Sequence, residues 1–221
     1  MMNKIDKYKL YGRAKGRKKI SIFDNELLNK YQLDLNKDFI KFDNIILDVG
    51  SGNGENTIFL AKKYPRSLIL AAEIFLDGNI NLCNLIENFN INNIKIYSGN
   101  INKFLDTLEN ENRNKIHQVW ILFPDPWPKK RHHKRRLVND VFLESVFNSI
   151  NKEGNLFIAT DCSSYLKQIL SSLYNKNSFF EWLNDKPYEW DFKNYDLPLT
   201  KYYKRAKRLN NFPFFISLNK I

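Results

Sequence analysis

Cysteine is nearly absent: Cys83 and Cys162 are the only two in 221 residues, they stand in unrelated segments, and neither has metal-type spacing. No disulfide framework is implied. Histidine is nearly as scarce, with three. His117 stands alone and His132 and His133 are adjacent in a basic run, so no zinc site is spelled out and no metal is expected. No apolar run is long enough to cross a bilayer, and Met1 to Ile20 has no apolar centre of signal-peptide length. The expectation is a soluble cytoplasmic chain with no membrane partner. Acidic charge is also in short supply, with 24 Asp and Glu against 35 Lys and Arg, a net +11. Such a surface favours a polyanionic partner. Because Lys, Asn and Ile are common throughout, clustering of the charge is more telling than its sum.

The length suits one domain with a full core and an appendage. Residues 1–20, with Tyr11-Gly12-Arg13-Ala14-Lys15-Gly16-Arg17-Lys18-Lys19, read as a basic, flexible amino-terminal arm, and 21–221 as a single domain. Within it, apolar strands alternate with amphipathic helices. Strands are expected at Ile45–Val49, Ser67–Glu73, Asn93–Ser98, His117–Phe123 and Gly154–Thr160. Helices are expected at Glu55–Tyr64, Leu76–Phe89, Ile101–Leu108, Val138–Ile150 and Ser163–Tyr174. Parallel neighbours need crossover helices, so the fold class is α/β, a doubly wound, mostly parallel sheet. After Asn175 the rhythm breaks, and Phe212–Leu218 closes the chain as a strand. Two late strands without a helix between them would make an antiparallel C-terminal hairpin at the sheet edge, seven strands in all. Residues 187–211 read as a substrate-binding insertion.

The first strand leads into Asp48-Val49-Gly50-Ser51-Gly52-Asn53-Gly54-Glu55. Glycine at 50, 52 and 54 lets the backbone turn sharply and lets a ligand approach the main chain. A dinucleotide fingerprint would need glycine where Glu55 stands, and no Gly-Lys-Ser/Thr follows, which argues against NAD and against a P-loop. Glu73 ends the second strand about 20 residues on, where a carboxylate can accept both hydroxyls of a ribose. With Asp48 and Glu55 flanking the turn, the cofactor expected is S-adenosylmethionine, a cationic nucleoside. At the end of the fourth strand comes Pro124-Asp125-Pro126-Trp127-Pro128, followed by Lys129-Lys130-Arg131-His132-His133-Lys134-Arg135-Arg136. Ligands bind at strand carboxyl ends in such sheets, and this is an acidic turn beside the densest positive charge in the chain.

With these motifs placed, the sequence resembles the tRNA (guanine-N7)-methyltransferases, a class I, Rossmann-like family dependent on S-adenosylmethionine. Ala159-Thr160-Asp161, Leu199-Thr200-Lys201-Tyr202 and Arg208-Leu209 add to the likeness. The resemblance implies methylation of N7 of a variable-loop guanosine, tRNA nucleotide 46. It further implies that Asp48, Gly50, Gly52, Gly54, Glu73, Asn100 and Asp125 line the cofactor pocket. Lys129, Asp161, Thr200, Lys201, Tyr202 and Tyr203 would meet the guanosine, and Arg131, His132, His133, Lys134, Arg135 and Arg136 the RNA backbone. Two positions depart from the family pattern: Asn100 replaces its usual aspartate, and Tyr203 its usual glutamate. Guanine N7 is an acceptor with a free lone pair, so no base has to deprotonate it, and Asp125 is assigned an orienting or electrostatic role. Two alternatives stand beside this: a methyltransferase acting on an exocyclic amine, whose sites use Asp/Asn-Pro-Pro-Tyr at the same strand end, and a non-catalytic RNA-binding module. Monomer and homodimer are equally compatible with the sequence.

Overall fold

The structure is a computed structural model that describes residues 9, 11, 12, 14, 16, 20–110 and 116–221. Among them seven strands form a mixed α/β sheet, mostly parallel with antiparallel C-terminal strands. The chain divides into two compact units, residues 1–107 and 108–221.

The first unit opens with helices α1 (Ile22–Tyr31) and α2 (Leu35–Lys41). Then come β1 (Ile45–Val49), α3 (Glu55–Lys63), β2 (Leu68–Ala72), α4 (Leu76–Phe89), β3 (Ile94–Tyr97) and the start of α5 (Ile101–Asn110). Its strands pair in parallel in the order β3-β2-β1, with Ile45 opposite Leu68 and Ile69 opposite Ile94. Every residue of β1 and β2 is buried, as expected of parallel strands covered on both faces. That is why both read as continuous apolar runs rather than alternating ones.

Helices α1 and α2 occupy the stretch before β1, where no element was expected. Each is started by its cap. The Ser21 hydroxyl accepts from the Asp24 N–H at 3.0 Å while the Asp24 carboxylate accepts from the Ser21 N–H at 2.9 Å, a reciprocal capping box. Asp34 accepts from the N–H groups of Asn36 and Lys37. The α1 helix docks onto α4, where Glu87 accepts from Tyr31 at 2.6 Å and pairs with Lys30. Of the arm expected at 1–20, residues 1–8, 10, 13, 15 and 17–19 lie outside the described residues, and its expected flexibility with them. Among the described ones, the Ala14 carbonyl accepts from the Leu76 N–H at 3.0 Å.

The second unit comprises β4 (Ile116–Leu122), a short 3-10 helix (Lys130–Arg135), α6 (Asp140–Ser149), β5 (Ile150–Thr160), α7 (Ser163–Asn175), β6 (Phe180–Trp182), α8 (Lys201–Arg208) and β7 (Phe214–Lys220). Strand order is β4-β5-β7-β6, with β4 parallel to β5 and the other pairs antiparallel. The antiparallel C-terminal strands are present as expected, but they are not joined directly. Strands β6 and β7 do pair, Trp182 opposite Leu218, but two 3-10 turns and α8 intervene. Helix α8 escaped notice because Lys201-Tyr202-Tyr203-Lys204-Arg205-Ala206-Lys207-Arg208 has only Tyr203 and Ala206 buried, too few apolar positions to show a period. Its start is set by Thr200, whose hydroxyl accepts from the Tyr203 N–H at 3.2 Å.

Candidate active site

In the first unit the turn after β1 places Gly50, Gly52 and Gly54 at φ of +71°, +57° and +85°. That is the left-handed region in which a Cβ is costly. The alternation of glycine is therefore a backbone requirement. The Gly50 N–H donates to the Ala72 carbonyl at 2.8 Å, and the Gly54 N–H to the Ser51 carbonyl at 2.9 Å. Glu73 ties the turn to the end of β2. Its Oε2 accepts from the Gly52 N–H and its Oε1 from the Phe75 N–H, both at 2.9 Å. One N–H per oxygen leaves lone pairs on each.

Two residues of α4 that the sequence did not single out complete this arrangement. Gly78 lies so close to the turn that a Cβ would overlap the Gly52 carbonyl oxygen. Asn79 is fully buried and donates to the Glu73 carbonyl at 3.0 Å and to the Ser98 hydroxyl at 2.9 Å. The only signal for them was a Gly-Asn pair at the start of an otherwise apolar helix face. Asp48, expected in the pocket lining, ties the end of β1 to α3. It is buried, with Oδ1 accepting from Asn56 Nδ2 at 3.0 Å and Oδ2 from Thr57 Oγ1 at 2.6 Å. Burial pushes its carboxyl up to about 6; the two hydrogen bonds oppose the rise and the Glu73 charge adds to it. Asn100 is buried too, and its Oδ1 accepts from the Asn102 N–H at 2.9 Å in the first turn of α5.

What could occupy this turn follows from what it leaves unsatisfied. Ser51 Oγ and Asn79 Oδ1 are buried without a partner among the described residues, although buried polar groups are as a rule hydrogen-bonded. With the open lone pairs of Glu73, they suit a ligand rich in hydroxyl and amino groups. The carboxylates Asp48, Glu55 and Glu73 favour a cation over a pyrophosphate. S-adenosylmethionine meets both conditions.

In the second unit β4 runs into a loop whose Phe123 and Trp127 hold φ of +54° and +42°. Left-handed backbone at a residue other than glycine costs about 1–3 kcal/mol and persists only when its surroundings impose it. Between these two residues Asp125 is exposed, and no described group donates to it. Phe123 is anchored by its N–H to the Ala159 carbonyl at 2.8 Å and by its ring against Phe192 at 5.6 Å. Trp127 lies under the basic turn, with the Arg135 guanidinium over its ring at 4.9 Å and the His132 ring edge-on at 5.9 Å. Lys129, Lys130, Arg131 and Lys134 are exposed, while His132, His133 and Arg135 are half-buried. His132 is held below the usual histidine value, first by desolvation, then by the charges of Arg135, Arg131 and Lys129.

Arg136 breaks with the cluster to which the sequence assigned it. It is 2% exposed and its donors are committed inside the protein, so it does not face an RNA backbone. Tyr203 is a second correction. It is buried and stacked on Phe192 at 4.9 Å, so an aromatic stands where a base-reading carboxylate was the family's pattern because the position belongs to the core. Thr200 is buried as the α8 cap. Lys201 lies over the ring of the exposed Tyr202 at 5.0 Å. Asp161, at the end of β5, is half-buried, and its Oδ2 accepts from Asn211 Nδ2 at 2.8 Å. Asn211 carried no sequence signal. On α8 the cations Lys204, Arg205, Lys207 and Arg208 are exposed. Among the described residues no group of three or more His, Cys, Asp or Glu is placed to hold a metal ion, and no helix is long and apolar enough to cross a membrane.

Comparison with known proteins places this geometry in context. A sequence family described as "Putative methyltransferase" matches residues 43–215. A "tRNA (guanine-N(7)-)-methyltransferase" of Wolbachia pipientis wMel is 36% identical over 187 residues, 82% of this chain and 80% of that protein. A "Bifunctional methyltransferase" of Rickettsia felis is 33% identical over 201 residues, which are 91% of this chain but span only 37% of the relative's length. Among solved structures, an rRNA methylase from Streptococcus thermophilus aligns with a TM-score of 0.51 at 15% identity, covering 93% of this chain and 99% of that one. At that identity the match speaks to the fold alone.

Proposed function

The chain belongs to the tRNA (guanine-N7)-methyltransferase family, and on that premise we propose how its residues carry out the reaction. A methyl group passes from S-adenosylmethionine to N7 of a guanosine in tRNA. The cofactor supplies, when bound, an electrophilic methyl carbon on a sulfonium. Glu73 accepts from the ribose hydroxyls through its open lone pairs. Ser51 and Asn79 gain the polar partners that they lack among the described residues. Asp48 acts at one remove, by fixing α3 to the end of β1.

Guanine N7 needs no base, because it carries a lone pair and no proton. The work of the second unit is therefore positioning, which in favourable cases lowers a barrier by roughly 7–11 kcal/mol. Asp125 orients the reacting groups and contributes a fixed negative charge where the sulfonium's charge is redistributed. Asp161, steadied by Asn211, accepts from N1–H and the exocyclic amine of guanine, a donor pair that adenine lacks. Lys129, Arg131, Lys134 and Arg135 neutralise phosphates, and α8 adds Lys204, Arg205, Lys207 and Arg208. Residues 187–211 thus serve as the substrate-binding insertion, where the exposed Tyr202 stacks on a base. A tRNA substrate supports a cytoplasmic site of action.

The observation that carries this proposal is Glu73, a carboxylate fixed by two backbone N–H groups beside three left-handed glycines. The test is incubation of the purified protein with unmodified tRNA and methyl-labelled S-adenosylmethionine, then strand cleavage at N7-methylguanosine. Label is expected in N7-methylguanosine at a variable-loop guanosine. Label in N6-methyladenosine, or tRNA binding without turnover, would overturn the proposal.

A further inference from the structure

Arg136 is a large, fully buried side chain, and among the described residues no carboxylate hydrogen-bonds to it. Its Nε donates to the Pro126 carbonyl at 2.8 Å, Nη1 to the Ser164 carbonyl at 3.0 Å and Gln168 Oε1 at 3.1 Å, and Nη2 to Ser164 Oγ at 2.8 Å. The guanidinium lies over the Tyr165 ring at 4.9 Å. All four acceptors are neutral. Burying a cation without a counter-ion is expensive, so the geometry is retained for something other than cheap stability.

The loop that it grips explains what. Pro124, Pro126 and Pro128 remove three N–H donors from six residues, so Phe123–Pro128 has little with which to hydrogen-bond itself into shape. Its ends sit in left-handed backbone at Phe123 and Trp127, which the surroundings have to impose. Arg136 supplies an outside donor at the carbonyl next to Asp125. The other end of the fork holds Ser164 and Gln168 in the first turns of α7, which begins two residues after Asp161. Gln168 is itself oriented, donating from Nε2 to the Val138 carbonyl at 3.2 Å, and Tyr165 is fixed because its hydroxyl accepts from the Val138 N–H at 2.8 Å. The charges of Asp125 and Arg136 also act in opposite directions on the Tyr165 phenol, which puts the Asp125 carboxylate within electrostatic reach of the same assembly.

We infer that Arg136 is a positioning residue: a buried fork that fixes the Asp125 loop against the first turns of α7, and so sets the spacing between Asp125 and Asp161. The inference rests on the proposed roles of those two carboxylates. It predicts a defect in the rate of methyl transfer and not in RNA affinity.

Arg136→Lys keeps the charge but loses the fork, and displacement of a reacting group by about 1 Å can cost on the order of 100-fold. Single-turnover methylation at saturating tRNA and S-adenosylmethionine should slow by roughly 10- to 100-fold. The tRNA Kd and the slope of its logarithm against log salt should stay at wild-type values, whereas Arg135→Ala should reduce that slope by about one. The double variant Ser164→Ala/Gln168→Ala keeps Arg136 and removes two acceptors, so it gives the answer if Arg136→Lys fails to fold. It should slow the same step by about 3- to 10-fold. A wild-type single-turnover rate in whichever variant folds, or a salt slope lowered in Arg136→Lys as in Arg135→Ala, would overturn the inference. Wild-type protein run alongside separates the two levels. No N7-methylguanosine from the wild type would remove the functional proposal and this inference with it; product from the wild type with insensitive variants would remove the fork alone.

Discussion

The turn after β1 carries glycine at 50, 52 and 54, whereas the loop after β4 carries proline at 124, 126 and 128, and the two are held in opposite ways. The glycine turn gives up side chains, keeps its N–H groups, and is pinned by an anion: Glu73 accepts from Gly52 and Phe75. The proline loop gives up N–H groups, keeps a side chain on display, and is pinned by a cation: Arg136 donates to Pro126. A backbone that a ligand must approach needs absent Cβ atoms. A backbone that must present one carboxylate needs stiffness, and when proline provides it the missing donors have to come from elsewhere.

If this contrast is right, the largest loss should come from the displayed carboxylate. Asp125→Ala should lower kcat by about 100-fold or more, in the range of other lost electrostatic contacts, with tRNA affinity spared; a large loss of affinity with normal turnover would place Asp125 in RNA binding instead. Next, Gly78→Ala should push a Cβ into the Gly52 carbonyl. A cost of about 1–3 kcal/mol in stability is expected from such overpacking, with S-adenosylmethionine affinity, read by calorimetry, falling by about tenfold. Unaltered affinity would mean that α4 does not shape the glycine turn.

A smaller effect belongs to Asp48, raised from 3.8 to about 6. Because its folded-state value lies above the unfolded one, the folded protein holds an extra proton between these limits. Its contribution to stability is greatest below about pH 4, falls as pH rises to about 6, and stays lost above that. Asp48→Asn should remove about 1–3 kcal/mol of this pH dependence, seen as a stability profile that is flatter than wild type between about pH 4 and 6; parallel pH profiles for wild type and variant would contradict the burial. The smallest change is expected from Tyr203→Phe. With the ring stacked on Phe192 in the core, stability should shift by less than about 0.5 kcal/mol and the KM for tRNA should not move. A raised KM would return Tyr203 to base recognition.

Much of the first unit was legible from periodicity. β1 and α4 begin and end where their apolar patterns do, because both bury a full face. Helices α1 and α8 were missed for the converse reason: α1 leaves Ile22 and Phe23 exposed and α8 is almost wholly cationic, so neither carries an apolar stripe to read. The capping box at Ser21 and Asp24 was the available clue to α1. Arg136 was misplaced because it ends a run of cations, and a run gives no sign of which member turns inward.

The order of residues alone determined the alternation of strands and helices, the left-handed demand at the three glycines, and the gathering of positive charge after Asp125, since each is a local property of neighbouring residues. Tertiary structure decided which groups are available. It buried Asp48 against α3, stacked Tyr203 into the core, joined Asn211 to Asp161 across 50 positions of sequence, and turned Arg136 from a surface cation into an internal clamp. Burial and hydrogen-bond partnership depend on residues distant along the chain, and only folding brings those together.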